Sequence, residues 1–206
     1  MRKNLRLVKP AIGAEMQKVG RKTDAAYGRD EQKYLTPSQV EALIQASGKR
    51  DALMISLAYH HALRVSELIG LEWPAIDLKA GTITISRVKG GIGGQQQLAR
   101  RDRQALARLR GEKLDGRYVF VSKRHGIYQP LSRDAFAKIL ATAGQRAGID
   151  RRLCHPHALR HAAGHVLANS GKVNAYQLQA VMGHRDARST QIYVQGVAGN
   201  IKGLWD

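Results

Sequence analysis

Cysteine, bulky aromatics and acids are all scarce in this chain. One cysteine, two phenylalanines, two tryptophans and 16 acidic residues are spread over 206 positions. The single Cys154 cannot form an intramolecular disulfide or build a thiolate zinc site. The few acids form no close carboxylate cluster of the kind that holds two metal ions in many nucleases. No apolar run approaches the roughly 18 residues of a membrane span. The opening run MRKNLRLVKPAIGAEMQ is charged and lacks the apolar stretch of a secretory signal. These absences favour a soluble, cytoplasmic protein of a reducing compartment with no membrane span, and no metal or cofactor is expected.

Positive charge is what the chain has in excess. Thirty-four Lys and Arg against 16 acids give a net charge of +18. Such a chain repels itself, and a polyanion relieves the repulsion. Nucleic acid is the first candidate partner and an anionic membrane surface the second. Residues 1–34 hold nine bases against four acids and few bulky apolar side chains, which reads as a basic arm that either orders on binding or stays solvated. Residues 35–206 form one globular domain, with 43% hydrophobic residues in the whole chain available for a core.

Within that domain Thr36, Pro37 and Gln39 spell a helix start, followed by Val40, Leu43 and Ile44 at helical spacing. Further helices are expected over 51–61, 64–68, 102–111, 132–147, from His157 to near Gly171, and over 174–182 and 186–194. The alternating run from Gly81 to Ser86 (GTITIS) reads as a strand, the glycines of 90–94 as a turn and Gln95–Leu98 as its returning partner. The expected fold is α+β and mainly α, a helical core with one small antiparallel sheet or hairpin.

Four islands carry candidate chemistry: Ala62 to Leu68 (ALRVSEL), Arg87 to Gly90 (RVKG), His155 to His161 (HPHALRH), and Gly183-His184 with Ser189 to Tyr193 (STQIY). Breaking a phosphodiester places charge on the phosphate oxygens, and without a carboxylate-metal cluster fixed cations must stabilise it. Arg64 and Arg160 suit that task because guanidinium stays ionised and grips two oxygens together. Losing such a donor typically costs about 3 kcal/mol of barrier. Tyr193 is a candidate nucleophile whose free pKa of about 10 calls for a nearby base. His157 and His184 are candidates for proton handling or phosphate hydrogen bonding. Glu67, one turn beyond Arg64, is suited to buttressing the arginines. His157, His161 and His165 recur every four residues on one helix, but three imidazoles over two turns seldom converge on one ion, so no metal is assigned. His161 reads as structural.

The ordered set of Arg64 and Glu67, Lys89, His157 and Arg160, Gly183-His184, and Tyr193 nine residues after His184 resembles the tyrosine recombinases, the phage integrase family. The resemblance covers about residues 35–206, the tyrosine recombinase catalytic domain. Family members usually carry a helical DNA-clamping domain ahead of it, whereas 34 residues precede it here, as in short recombinases of the fimbrial phase-switch type, whose ending also resembles Gly203 to Asp206 (GLWD).

The resemblance implies a site-specific DNA recombinase that acts through a covalent 3′-phosphotyrosine at Tyr193, needs neither metal nor ATP, and uses Lys89 as general acid. It implies catalytic roles for Arg64, Lys89, His157, Arg160, His184 and Tyr193, with Arg64, Arg87, Lys89 and Arg160 at the DNA. It further implies double-stranded DNA with specific sites as partner, a homotetramer on DNA, accessory DNA-bending proteins, and a bacterial or phage-encoded, nucleoid-associated setting. Arg87 or a distant lysine remains an alternative to Lys89, and Trp205 is a candidate for docking in a neighbouring protomer. A non-catalytic DNA-binding factor on the same fold, or a one-way topoisomerase, is the competing functional reading.

Overall fold

The computed structural model describes residues 34–87, 93–112, 116–124 and 127–194. Lys89, most of the arm, and the tail with Trp205 lie outside the described residues.

Helix α1 (Pro37–Gln45) starts as its sequence dictates. The Thr36 side chain accepts from the Gln39 amide at 3.2 Å, and Gln39 reaches back to the Thr36 amide at 2.9 Å. Helix α2 (Lys49–His60) is buried from Leu53 through Tyr59. A short helix α3 (Val65–Ile69) follows, with Arg64 at its N-cap. After a 3₁₀ turn at Trp73–Ala75 the chain forms β1 (Ile76–Asp77), β2 (Thr82–Ile85) and β3 (Gly94–Gln97), an antiparallel sheet with β2 in the middle and Thr82 opposite Gln97. Helix α4 (Arg100–Gly111) comes next, then β4 (Val121–Arg124) and β5 (Ile127–Pro130), which pair as a second antiparallel hairpin.

Helix α5 (Arg133–Ala147) is capped by Ser132 and ends at Gly148, whose φ of +67° suits a residue without Cβ. Helix α6 (Pro156–Asn169) has Pro156 in its first turn and the His155 side chain as N-cap. Helix α7 (Ala175–Met182) opens on an Asn174–Gln177 capping box, and α8 (Arg188–Val194) completes the described chain.

Helix α2 is the central element, packed against α1, α4 and α6. Phe120, Phe136, Leu43, Met54, Ile83, Leu106, Leu140 and Leu159 are among the fully buried side chains around it. At about 25 cal/mol per Å² of apolar surface buried, this core is the main source of stability. The α+β, mainly helical expectation holds. It differs in having two small sheets rather than one: β1 has two residues, and β5 is exposed along its length, so neither carries the half-buried alternation that marks a strand. Among the described residues, no helix is long and apolar enough to cross a membrane.

Candidate active site

The site forms where the loop after α2, the N-terminus of α3, the end of β2, α6, and the turn from α7 into α8 meet. Glu67 is its organising anion. One carboxylate oxygen accepts from Arg64 Nη1 at 2.9 Å, and the other accepts from the Arg64 amide at 2.8 Å and from Arg87 Nη1 at 2.6 Å. Burial pushes the Glu67 carboxyl up, but the Arg64 amide and the two guanidiniums outweigh it and hold its pKa below the usual value. Glu67 therefore stays ionised and locks both arginines in place.

The three guanidiniums are not equivalent. Arg64 also donates to the Gly183 carbonyl at 3.2 Å, and its side chain stays about one-third exposed. Arg160 is buried, and its two terminal nitrogens donate to the carbonyls of Ala62 and Met182. Ala62 adopts φ +48°, a left-handed conformation in the loop that presents its carbonyl to Arg160. Burial, then the neighbouring Arg64 and Arg87, pull the Arg160 pKa down to about 10, which leaves it cationic at neutral pH. Arg87 was expected among the DNA-facing cations. Instead its side chain is 1% exposed, and its donors are taken up by Glu67 and by the carbonyls of His61 and Val181. It stands behind the site as an anchor, because loss of either partner of the buried Arg87–Glu67 pair would leave an uncompensated charge away from water. Three guanidiniums gather here and one carboxylate pairs with two of them, so the cluster keeps an excess of positive charge.

On the other side of Arg160 lie the imidazoles and Tyr193. Tyr193, on α8, is 4% exposed, and its ring sits over α6 at Gly164. Its hydroxyl is 2.7 Å from His161 Nδ1. Burial drives the phenol pKa up to about 12 against the opposing pull of Arg160. His184 lies nearly parallel to the Tyr193 ring, with centroids 6.2 Å apart, and its Nδ1 is 3.0 Å from the Thr190 hydroxyl. Burial, followed by Arg160 and Arg64, lowers the His184 pKa to about 4, so its ring is neutral at pH 7. In the tautomer where the Thr190 hydroxyl donates to Nδ1, the imidazole proton is on Nε2, free to donate to an anion. His157 is exposed at the start of α6, and its Nε2 lies 2.8 Å from His161 Nε2.

Of the expected site residues, Arg64, Glu67, Arg160, His184, Tyr193 and His157 come together around this corner, Arg87 supports it from behind, and Lys89 lies outside the described residues. The sequence reading set His161 aside as structural, and the structure places it against the Tyr193 hydroxyl. The four-residue spacing from His157 raises only a metal question; that Tyr193 would arrive beside His161 depends on how α8 packs on α6. The third histidine of the run, His165, stacks on Tyr34 with centroids 3.8 Å apart and meets the Tyr193 ring edge-on at 5.0 Å.

The model for the phage integrase family matches residues 33–198, and the chain belongs to that family. It is 36% identical over 185 residues to the type 1 fimbriae regulatory protein FimE of Escherichia coli K12, an alignment covering 84% of this chain and 91% of FimE. It is 36% identical over 174 residues to the tyrosine recombinase XerD of Ralstonia nicotianae, covering 78% of this chain and 55% of XerD. Among solved structures, the XerA recombinase superposes with a TM-score of 0.69 at 25% identity, covering 87% of this chain and 69% of XerA. The Tn1549 transposon integrase in complex with transposon right end DNA also gives 0.69, at 19% identity, covering 89% of this chain and 70% of that one.

Proposed function

We propose that this protein is a site-specific DNA recombinase of the tyrosine type. Tyr193 attacks a DNA phosphorus, forms a 3′-phosphotyrosine and releases a 5′ hydroxyl. The covalent bond conserves the phosphodiester energy, so rejoining requires neither ATP nor metal. Arg64 and Arg160 neutralise the phosphate oxygens, His184 donates to one of them, and Lys89 protonates the leaving oxygen. Glu67 and Arg87 hold the cationic cluster in register. The observation that carries this reading is the convergence of an under-neutralised guanidinium cluster with a buried tyrosine and neutral imidazoles, residues from both ends of the domain. A non-catalytic DNA binder needs the charge but not the tyrosine.

Residues 35–206 act as the catalytic domain, and residues 1–34 add phosphate contacts. The likeness to FimE fits a phase-switch recombinase that inverts or moves a DNA element in the bacterial cytoplasm, as a tetramer on specific duplex sites with help from DNA-bending proteins. Covalent capture tests the reading. The protein is incubated with fragmented DNA of its host and denatured, and DNA still attached to it is sequenced. Wild type is expected to yield adducts at a recurrent site with 3′ attachment, undiminished by chelator. Tyr193→Phe should bind DNA and yield none. Adducts that persist in the Phe variant would place the nucleophile elsewhere.

A further inference from the structure

The Tyr193 hydroxyl has one hydrogen-bond partner among the described residues, and it is His161 Nδ1, at 2.7 Å. In the His161 tautomer with a bare Nδ1 the phenol donates in this pair, and the His161 proton sits on Nε2. That nitrogen points along α6 at His157 Nε2, 2.8 Å away. His157 must then accept, with its own proton on Nδ1. The three groups form one consistently polarised chain from the buried phenol to the exposed His157. The four-residue offset on one helix face keeps the two imidazoles within reach of each other. Building on the recombinase reading above, we propose that His161 is the general base for Tyr193 and that His157 is its proton outlet.

In this step the Tyr193 oxygen bonds to phosphorus as the bond from phosphorus to the 5′ oxygen breaks. The phenolic proton passes to His161 Nδ1, the Nε2 proton of His161 passes to His157 Nε2, and His157 sheds its Nδ1 proton to solvent. A separate acid supplies the proton to the 5′ oxygen. The surroundings suit a base that starts neutral. Burial first, then His157, Arg160 and His155, keep the His161 pKa below its ordinary value. The groups facing His161 are His157, Arg160 and His165 on its own helix, His155 at the helix cap, Tyr34 from the chain before α1, and Tyr193 and His184 from α8 and the turn before it. No carboxylate is among them, so nothing in this set draws His161 into the charged state before the phenol yields its proton.

The test uses full-length protein and a synthetic nicked duplex bearing the sequence that wild type captures. His161→Gln keeps a hydrogen-bond acceptor but cannot take a proton. Its rate of covalent attachment should fall about a hundredfold, with the rise of rate with pH displaced upward and DNA affinity and thermal unfolding little changed. Replacing the bridging 5′ oxygen by sulfur removes the need for a general acid, and the defect should persist with that substrate. Imidazole added to His161→Ala should restore attachment in part. In the free protein, ¹⁵N NMR of labelled histidines should find the His161 proton on Nε2 and the His157 proton on Nδ1. Attachment by His161→Gln within threefold of wild type, relief of its defect by the sulfur substrate, or an Nδ1-protonated His161 would each overturn the proposal. Wild type that forms no adduct with any DNA would instead remove the recombinase reading, a result separable from these.

Discussion

The ring of Tyr193 rests on the bare Cα of Gly164. A Cβ at that glycine would lie 2.6 Å from Tyr193 Cε1 and 2.8 Å from Cζ, closer than carbon atoms pack. Gly164 lies inside α6, where glycine disfavours the helix by about 1 kcal/mol relative to alanine. The position therefore gives up helix propensity for room under the ring. Gly164→Ala is expected to lift Tyr193 off α6 and lengthen its hydrogen bond to His161. Displacement of a reacting group by about 1 Å can cost on the order of a hundredfold in rate. Covalent attachment should fall by about that factor while the melting temperature moves by only a few degrees, since helix gain and steric loss oppose each other. Full activity in this variant would mean that the ring has another seat.

Gly183 answers to a different constraint. Its φ is +60°, and a Cβ there would meet Arg87 Cδ at 2.5 Å and Nε at 2.6 Å. An alanine would suffer the left-handed conformation, at a cost of about 1–2 kcal/mol, and push Arg87 away from Glu67. Breaking a buried ion pair from one side typically costs about 3–5 kcal/mol. Gly183→Ala should therefore lower the urea unfolding free energy by about 3 kcal/mol or more. Arg87→Met combined with Glu67→Gln should be less harmful than the sum of the two single changes, because neither partner is left charged and alone.

Arg64→Lys separates geometry from charge. The guanidinium spans Glu67 and the Gly183 carbonyl while its side chain remains partly exposed. An ammonium is a point charge and cannot keep both contacts while meeting a phosphate. Attachment is expected to fall about a hundredfold. The salt dependence of DNA binding should be unchanged, because its slope counts neutralised phosphates and the charge is conserved. A shallower slope would assign Arg64 to binding rather than to the reaction.

Much of this architecture is legible from local chemistry. The Thr36–Gln39 capping box, the helical spacing of Val40, Leu43 and Ile44, and the alternating strand of Thr82 to Ile85 are local signals, and each element forms where those signals lie. The arginines and Tyr193 are legible as an ordered set of motifs. The direction in which Arg87 faces is not, because its burial depends on Glu67, His61 and Val181, which are distant in sequence. The same holds for His161, whose neighbour Tyr193 lies 32 positions away and reaches it only when α8 packs on α6. Spacing along one helix finds His157 for His161, but says nothing of what the next helix brings.

The histidines also set an acid limit on stability. His61 is 2% exposed, its Nδ1 is bound to Gln96 at 2.9 Å, and its Nε2 has no partner among the described residues. Burial lowers its pKa to about 4, and burial likewise brings His165 and His184 to about 4. A histidine whose folded pKa is depressed binds its proton more readily in the unfolded chain. Its contribution is fully present above its ordinary pKa of 6.5 and is lost as pH falls from there toward 4. For the fully buried His61 alone the loss is on the order of 3 kcal/mol over that window; His165 and His184, about half-buried, add less. Glu67 and Asp102 have depressed carboxyl pKa values and withdraw their support only below their ordinary values of 4.5 and 3.8, so the histidine window comes first on acidification. Urea midpoints measured from pH 7 down to 4.5 should fall steadily. His61→Gln, which can still bond Gln96 but does not titrate, should flatten that descent by close to one proton's worth; a slope identical to wild type would mean that His61 is protonated in the folded protein.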